Sequence, residues 1–555
     1  MKDQDDRTEF KLSETPFTAW TLYTRGPLAR PLLRHGDRLN QIVYQDIETR
    51  ESDFTIISKA KAAKYLPKRK ESVTISVGIE KQTNIKVGAH DSADLHGVCF
   101  KYKKGYVINA GGSIWGLDFV PKPTLEGEQH VQYLAIAGYP GTNEEHHNVG
   151  EIQDPGTVPN CIQIWRMDLR LQDTPDNPTS KPTLDLCITH DLGIVRSLRW
   201  CPYGTYQQSV DGQTFLPRLG ILAVAFGDGS IRIISVPHPN GLRRRANGGV
   251  LNSTSKTSDT VYIHLKESLA TLSIPDICMT SLSWGGPFKL AAGCSKGSVS
   301  IWNVERAIRN RVGSVKETAK EDIASALVYS VRAHITATRS VKYHSALDPN
   351  GHEVVTTGHD GRVRLCDDRD PWIAATVWKN RGFLHTVDWP IHTDAVLFPD
   401  VERVLRSIRT APNSEFGVSK RMVECRGDIW QVSSSYYHPF AAMATSDGWL
   451  KLNNPYHGHK RGEKFTTINV YRLKKTEVQH KYQYVDSIKD STLSAKRGAA
   501  GESLYYLFLD PEVAIQQCVW NPNLAACGWI ASGGAAGLCR IDFVGSGRDW
   551  LKELG

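Results

Sequence analysis

Apolar and polar residues alternate with a period of two in short runs along most of this chain. Examples are "IRIISV" (231–236), "SVSIWNV" (298–304) and "RVRLCDD" (362–368). That period sends successive side chains to opposite faces, so each run predicts a β-strand with one buried face. The runs are also grouped. "LAVAFGDGSIRIISV" (222–236), "LAAGCSKGSVSIWNV" (290–304), "VVTTGHDGRVRLCDD" (354–368) and "AMATSDGWLKLNN" (442–454) share one order: an apolar strand, a small-residue step, a Gly-containing turn, an alternating strand. Asp228-Gly229, Asp360-Gly361, Asp447-Gly448 and the variant Lys296-Gly297 predict hairpin turns with both turn residues at positive φ.

A further strand of fixed type precedes each hairpin. Seven segments fit it: "SIWGLDFVP" (113–121), "IVRSLRWCPYG" (194–204), "CMTSLSWGGP" (278–287), "ATRSVKYHS" (337–345), "FLHTVDWPI" (383–391), "DIWQVSSSYYHP" (428–439) and "AIQQCVWNPN" (514–523). Several short strands per unit, repeated at several tens of residues, predict an all-β, seven-bladed β-propeller. The signature is that of the WD repeat. Trp165 and Trp302 end their units, Ile234, Cys366 and Asn453 stand in the Trp place elsewhere, and His190 and His334 precede the first strand of theirs. Blade five, "HTVDWPIHTDAVLFPDVERVLRSIRTA", is degenerate.

The domain plan is an N-terminal arm over 1–95, the propeller over 96–545 and a tail over 546–555. A ring must close, and "ESVTISVGI" (71–79) is the candidate strand to complete the last blade. Blade one carries a polar insertion, "PGTNEEHHNVGEIQDPGTVPN", and long basic loops are expected at 238–260, 457–465 and 486–502.

The cluster "TTGHDGRVRLCDDRD" (356–370) resembles a metal or nuclease site taken alone, but its turn Asp has counterparts in units without the cluster. It therefore predicts a structural hairpin. His146-His147 and His457/His459 are isolated loop pairs. No phosphate loop and no H-E-x-x-H is present, so no cofactor, metal or catalysis is expected. The 11 cysteines are scattered without C-x-x-C and read as buried thiols of an intracellular protein. No apolar run approaches membrane-span length.

Function should therefore lie in surfaces. In such blades the residue after the first apolar position of the inner strand points to the channel mouth. Aligning the seven strands names Trp115, Arg196, Thr280, Arg339, His385, Trp430 and Gln516. Trp and Arg dominate binding hot spots, which makes this ring the candidate partner-binding site. Trp200, Trp284, Trp389 and Trp520, at the end of the same motif, read as core. Net charge is +8. It concentrates in runs that could neutralise phosphates: Lys68, Arg69 and Lys70; Arg243, Arg244 and Arg245; Lys460 and Arg461; Lys496 and Arg497.

"GGSIWGLDFVP", the insertion before "CIQIWRMDL", "IVRSLRWCPYG" and "LAVAFGDGSIRI" resemble the WD-repeat subunit of the RNA polymerase III transcription factor TFIIIC, in its fungal form. The resemblance covers about 95–545 and is most specific in the first two blades. It implies a nuclear, non-enzymatic subunit of the lobe that binds the B box of tRNA genes. That subunit would pair with a second propeller subunit, assist a large DNA-binding subunit, and touch DNA weakly or indirectly. Two other readings remain: a propeller that reads a histone tail or another peptide at the Trp/Arg mouth, and a propeller enzyme. The predicted ring has no carboxylate, which disfavours the enzyme.

Overall fold

The computed structural model describes most of residues 41–544, apart from internal stretches of which the longest are 247–258, 314–325, 456–466 and 487–508. The basic runs at 460–461 and 496–497 and the His pairs 146–147 and 457/459 lie outside the described residues.

The described chain is mostly β and arranged as a β-propeller. Six sheets have four strands or more, and a further sheet, Ala395–Pro399, Val404–Arg409 and Ser419–Glu424, has three. Six complete blades, rather than the seven expected, are thus present. The short sheet falls in the unit read as degenerate. Its would-be inner strand is reduced to one bridge, in which Asp388 and Leu397 exchange backbone bonds of 2.9 and 2.8 Å. Leu384, Val387 and Trp389 of that segment are nevertheless buried with Val396 and Phe398, so packing holds it where the ladder does not.

Inner strands are Ile114–Phe119, Val195–Trp200, Met279–Gly285, Thr338–Tyr343, Ile429–Ser434 and Ile515–Trp520. Neighbours are joined by side chains that accept from the next backbone: Asp118 from Trp200 N at 2.8 Å, Ser283 from Tyr343 N at 3.0 Å, Thr386 from Val432 N at 3.3 Å and Gln431 from Cys518 N at 3.2 Å. The core runs between sheets. Trp200, Trp284, Trp389 and Trp520 are buried in it, as the motif predicts, with Trp165 and Trp302.

The four hairpins form where predicted, with a different turn. Gly229, Gly297, Gly361 and Gly448 have φ of +84°, +86°, +71° and +85°, while the residues before them keep negative φ. Each Gly N–H bonds the carbonyl three residues back, at 3.1–3.2 Å. This is a type I turn followed by a left-handed Gly, a longer loop than the two-residue turn expected. At Gly361 a Cβ would lie 2.4 Å from Asn380 O, so the position is closed to other residues.

Ring closure also differs. Val73–Gly78 is a strand, but it runs parallel to Lys481–Asp486 on the outer side of the sixth sheet, with Thr83–Val87 beyond it at the edge. The last sheet is completed instead by Gly105–Asn109, with Ser92–Asp94 outside it. Phe54–Ile56 adds an outer strand to the first sheet through Val261–Leu265. The arm thus supplies strands to three sheets. Among the described residues no helix is long and apolar enough to cross a membrane.

The eleven cysteines are free thiols, ten of them buried.

Candidate functional site

Residues 195–197 show how the mouth is made. Val195 pairs with Phe226 and Ser197 with Ala225, so Arg196 has no partner and bulges out of the ladder. The same shift occurs at Trp115, Thr280, Arg339, Trp430 and Gln516 in the other five inner strands. A bulge re-aims a side chain and ends regular pairing. Here it is repeated around the ring, at the positions the motif alignment names. His385 takes the equivalent place in the segment that has almost no ladder.

All seven residues line one cavity of about 330 Å³ at the end of the channel. An aromatic arc runs along its wall. Tyr139 lies 6.1 Å from Trp115, Trp115 meets Trp430 edge to face at 5.9 Å, and Trp430 stacks on His385 at 4.7 Å. His385 meets His359 at 6.4 Å, and His359 lies 4.7 Å from Phe383, which is 64% exposed at the rim. Six of the seven ring residues are partly exposed; Gln516 is buried and its Oε1 accepts from Ser113 Oγ at 3.1 Å. Thr280 Oγ1 donates to Gly293 O at 2.9 Å.

The cavity's charge is one-sided. Arg196, Arg199 and Arg339 line it, and among the described residues no Asp or Glu does. Arg196 donates to Glu151 O at 2.6 Å, which ties the blade-one insertion across the mouth, and Gln153 of that insertion accepts from Ile194 N at 2.8 Å. Arg199 donates to Leu117 O and Leu198 O. Arg339 lies in no ion pair among the described residues, and its Nε is buried without a hydrogen-bond partner. Burial first, then the Arg196 charge, lowers its affinity for its proton. Burial, and next Arg339, pushes His359 and His385 down to about 4, so both are neutral at pH 7.

Further along the channel a cavity of about 140 Å³ has balanced charge. Lys342 Nζ is 3.0 Å from Asp388, and Asp118, raised to about 6 by burial, is opposed by Arg199. Its carboxylates accept from backbone N–H groups of neighbouring sheets, which is structural work.

The "GHDGRVRLCDDRD" stretch is a blade hairpin. Asp360 accepts from His334 Nδ1 at 2.9 Å, Ile335 N at 3.1 Å and Arg362 N at 3.2 Å, and His334 Nε2 meets Thr356 Oγ1 at 2.9 Å. His190 does not repeat this: its Nδ1 faces Leu192 N and its ring packs on Phe226. His352, Asp367 and Asp368 bring ligand-type atoms within 4.8 Å of one another. Lys289 already neutralises Asp368 at 2.8 Å and Arg369 neutralises Asp367 at 2.6 Å, so the trio is an ion-pair cluster.

The basic runs are placed differently from expectation. Arg243, Arg244 and Arg245 lie on a helix, Pro239–Ala246, and not in an unstructured loop. Arg243 is paired with the buried Asp185, Arg244 donates to Ser209 O at 3.1 Å, and Arg245 Nη1 is 2.5 Å from Glu51. Arg69 is buried, donating to Ala536 O and Asn109 Oδ1 at 2.6 Å each, which removes it from any phosphate-binding set. Lys68 and Lys70 are exposed beside it.

No family model matches the chain. It is 24% identical over 452 residues, 79% of its length, to transcription factor tau subunit sfc6 of Schizosaccharomyces pombe. It is 25% identical over 564 residues, 88% of its length, to general transcription factor 3C polypeptide 2 of Homo sapiens. Those spans are 65% and 58% of the relatives, so the chain matches less than two thirds of either. Both are named as transcription factor subunits, and neither as an enzyme. Over most of its length, the homologues of this chain are subunits of TFIIIC, as the resemblance implies.

Proposed function

We propose that the chain is a non-enzymatic scaffold subunit of TFIIIC, acting in the nucleus in RNA polymerase III transcription of tRNA genes. In this reading the three-stranded sheet counts as the seventh blade of a WD-repeat propeller over 96–545. Residues 41–95 dock around it as an arm, while 1–40 and the tail at 546–555 lie outside the described residues. The chain pairs with a second propeller subunit and supports B-box binding by a large DNA-binding subunit, with the mouth as one partner-binding surface. The observation that carries this is the similarity to TFIIIC subunits over most of the chain.

The test is affinity purification of the tagged chain from nuclear extract with mass spectrometry. A stoichiometric second propeller subunit and a large DNA-binding subunit are expected, and B-box duplex should be retained by the assembly but not by the chain alone. Purification without any TFIIIC subunit would reject the reading. The aromatic arc favours a second reading, a peptide or histone-tail reader, for which a modified tail peptide would be the dominant ligand.

A further inference from the structure

We infer that the mouth recognises an acidic peptide segment, one Asp or Glu side chain seated against Arg339 with an apolar or aromatic neighbour against the Trp430–Phe383 arc. This rests on the reading of the mouth as a partner-binding surface and adds the chemistry of the partner.

Charge comes first. Among the described residues, three arginines and no carboxylate line the cavity. Arg196 and Arg199 are engaged by backbone carbonyls, which are neutral. Arg339 has neither an ion pair nor a bond to its buried Nε among the described residues. A guanidinium whose buried Nε is left unbonded is costly, and a carboxylate is the group whose geometry satisfies it best. The neighbouring imidazoles are neutral at pH 7, so they neither supply an anion nor compete for one.

Shape and apolar surface come next. A cavity of about 330 Å³ admits one or two side chains or a loop tip, but not a nucleic-acid duplex. Its wall between Trp430 and Phe383 is aromatic and continues to the exposed rim, where Val401 is 54% exposed against Gly382. An acidic residue beside an apolar one meets both features.

The test is selection of a phage-displayed library of random twelve-residue peptides on the full chain, followed by binding of synthetic winners. Enrichment of Asp or Glu next to an aromatic or large aliphatic residue is expected. Arg339→Met should weaken the winners at least tenfold while leaving the melting temperature unchanged or higher, because it removes a cation whose buried Nε has no partner. Arg339→Lys should retain part of the binding. Peptides whose binding falls in Trp430→Ala but which carry no acid would overturn the acidic inference and leave the mouth reading standing. Acidic peptides indifferent to Arg339→Met and Trp430→Ala, or recovery of no mouth-dependent peptide, would overturn both. Competition by a short DNA duplex with mouth-dependent peptides would assign the site to phosphate instead.

Discussion

Trp115 and Trp430 come from the first and sixth sheets, yet their indoles meet edge to face, with centroids 5.9 Å apart and planes at 81°. Between them in the ring stands Gln516, buried and held by Ser113. Each Trp sits on a bulge, outside the regular register of its strand pair. Trp430→Ala should therefore leave the fold intact and cost about 2 kcal/mol or more in partner affinity, as hot-spot aromatics do. Titration calorimetry with the co-purified partner, alongside a thermal melt, reads both. An equal loss of stability and affinity would make the indole a structural residue.

Asp360 holds three donors at the head of its hairpin, and His334 links it to Thr356 inside the sheet. Asp360→Ala leaves a buried imidazole without its acceptor and should lower stability by about 1–3 kcal/mol. Denaturant unfolding measures this, and an unchanged midpoint would contradict it. The His190 unit provides a control. Its turn residue Asp228 bonds Ser230 and Arg232 in place of the histidine, so Asp228→Ala should cost without involving His190.

Buried imidazoles set an acid limit. Burial pushes His190 and His238 to about 3 and His90, His359 and His385 to about 4. In the unfolded chain these groups titrate near 6.5. Between the two values the unfolded state binds more protons, so stability is complete above about pH 6.5 and falls as pH drops towards 4. Each histidine can contribute up to about 1.4 kcal/mol per pH unit in that window. Asp118, raised to about 6, and Asp185, also raised by burial, act in the opposite direction, but they are two groups against five. Urea midpoints at pH 7 and pH 5 should differ clearly, and His190→Gln should flatten the difference. Equal midpoints would refute the acid limit.

Much of this was legible because it depends on local pattern. Alternation locates the hairpins, and aligning the inner strands brings Trp115, Arg196, Thr280, Arg339, His385, Trp430 and Gln516 to one cavity. The bulge beneath each was not legible, because unpairing is a property of two strands and not one. Val73–Gly78 announces itself as a strand by its alternation. Its parallel partner Lys481–Asp486 lies far along the chain, and nothing local selects that edge over the last sheet's. The arginine run failed for a related reason. Three adjacent cations in a Gly/Asn context suggest solvent, whereas Asp185 and Glu51, distant in sequence, draw two of them onto the body.

That pairing separates two roles for the basic runs. Arg243→Glu would place a like charge against buried Asp185 and should cost about 3–5 kcal/mol of stability. Lys68→Glu with Lys70→Glu, both at exposed positions, should leave the melt unchanged. If these lysines touch phosphates, the salt slope of duplex binding should fall by about one for each lysine that neutralises a phosphate. The chain alone should bind matched and scrambled duplexes equally, on the order of micromolar or weaker at physiological salt. Tight, sequence-selective binding would contradict a scaffold role.

A buried ion cluster at the joint between the sixth and seventh sheets gives the strongest stability prediction. Asp486, at the end of Lys481–Asp486, meets Lys103 Nζ at 2.5 Å and Arg540 Nη1 at 3.0 Å. Asp542 meets Arg540 Nη2 at 2.9 Å and Lys103 at 3.3 Å, and the guanidinium lies over the Tyr471 and Tyr484 rings at 4.6 and 5.0 Å. All four charged groups are buried, and two cations balance two anions. Burial alone would raise the Asp486 carboxyl, but Arg540 and Lys103 together hold it below the usual range, so it stays ionised. Asp486→Asn keeps the shape and leaves one cation in excess. Removing one partner of a buried network costs about 3–5 kcal/mol. Lys103→Met added to it restores the balance, so the double variant should recover much of the loss. The cycle is read from urea unfolding of the four proteins. Additive losses would show that the charges do not act as one network.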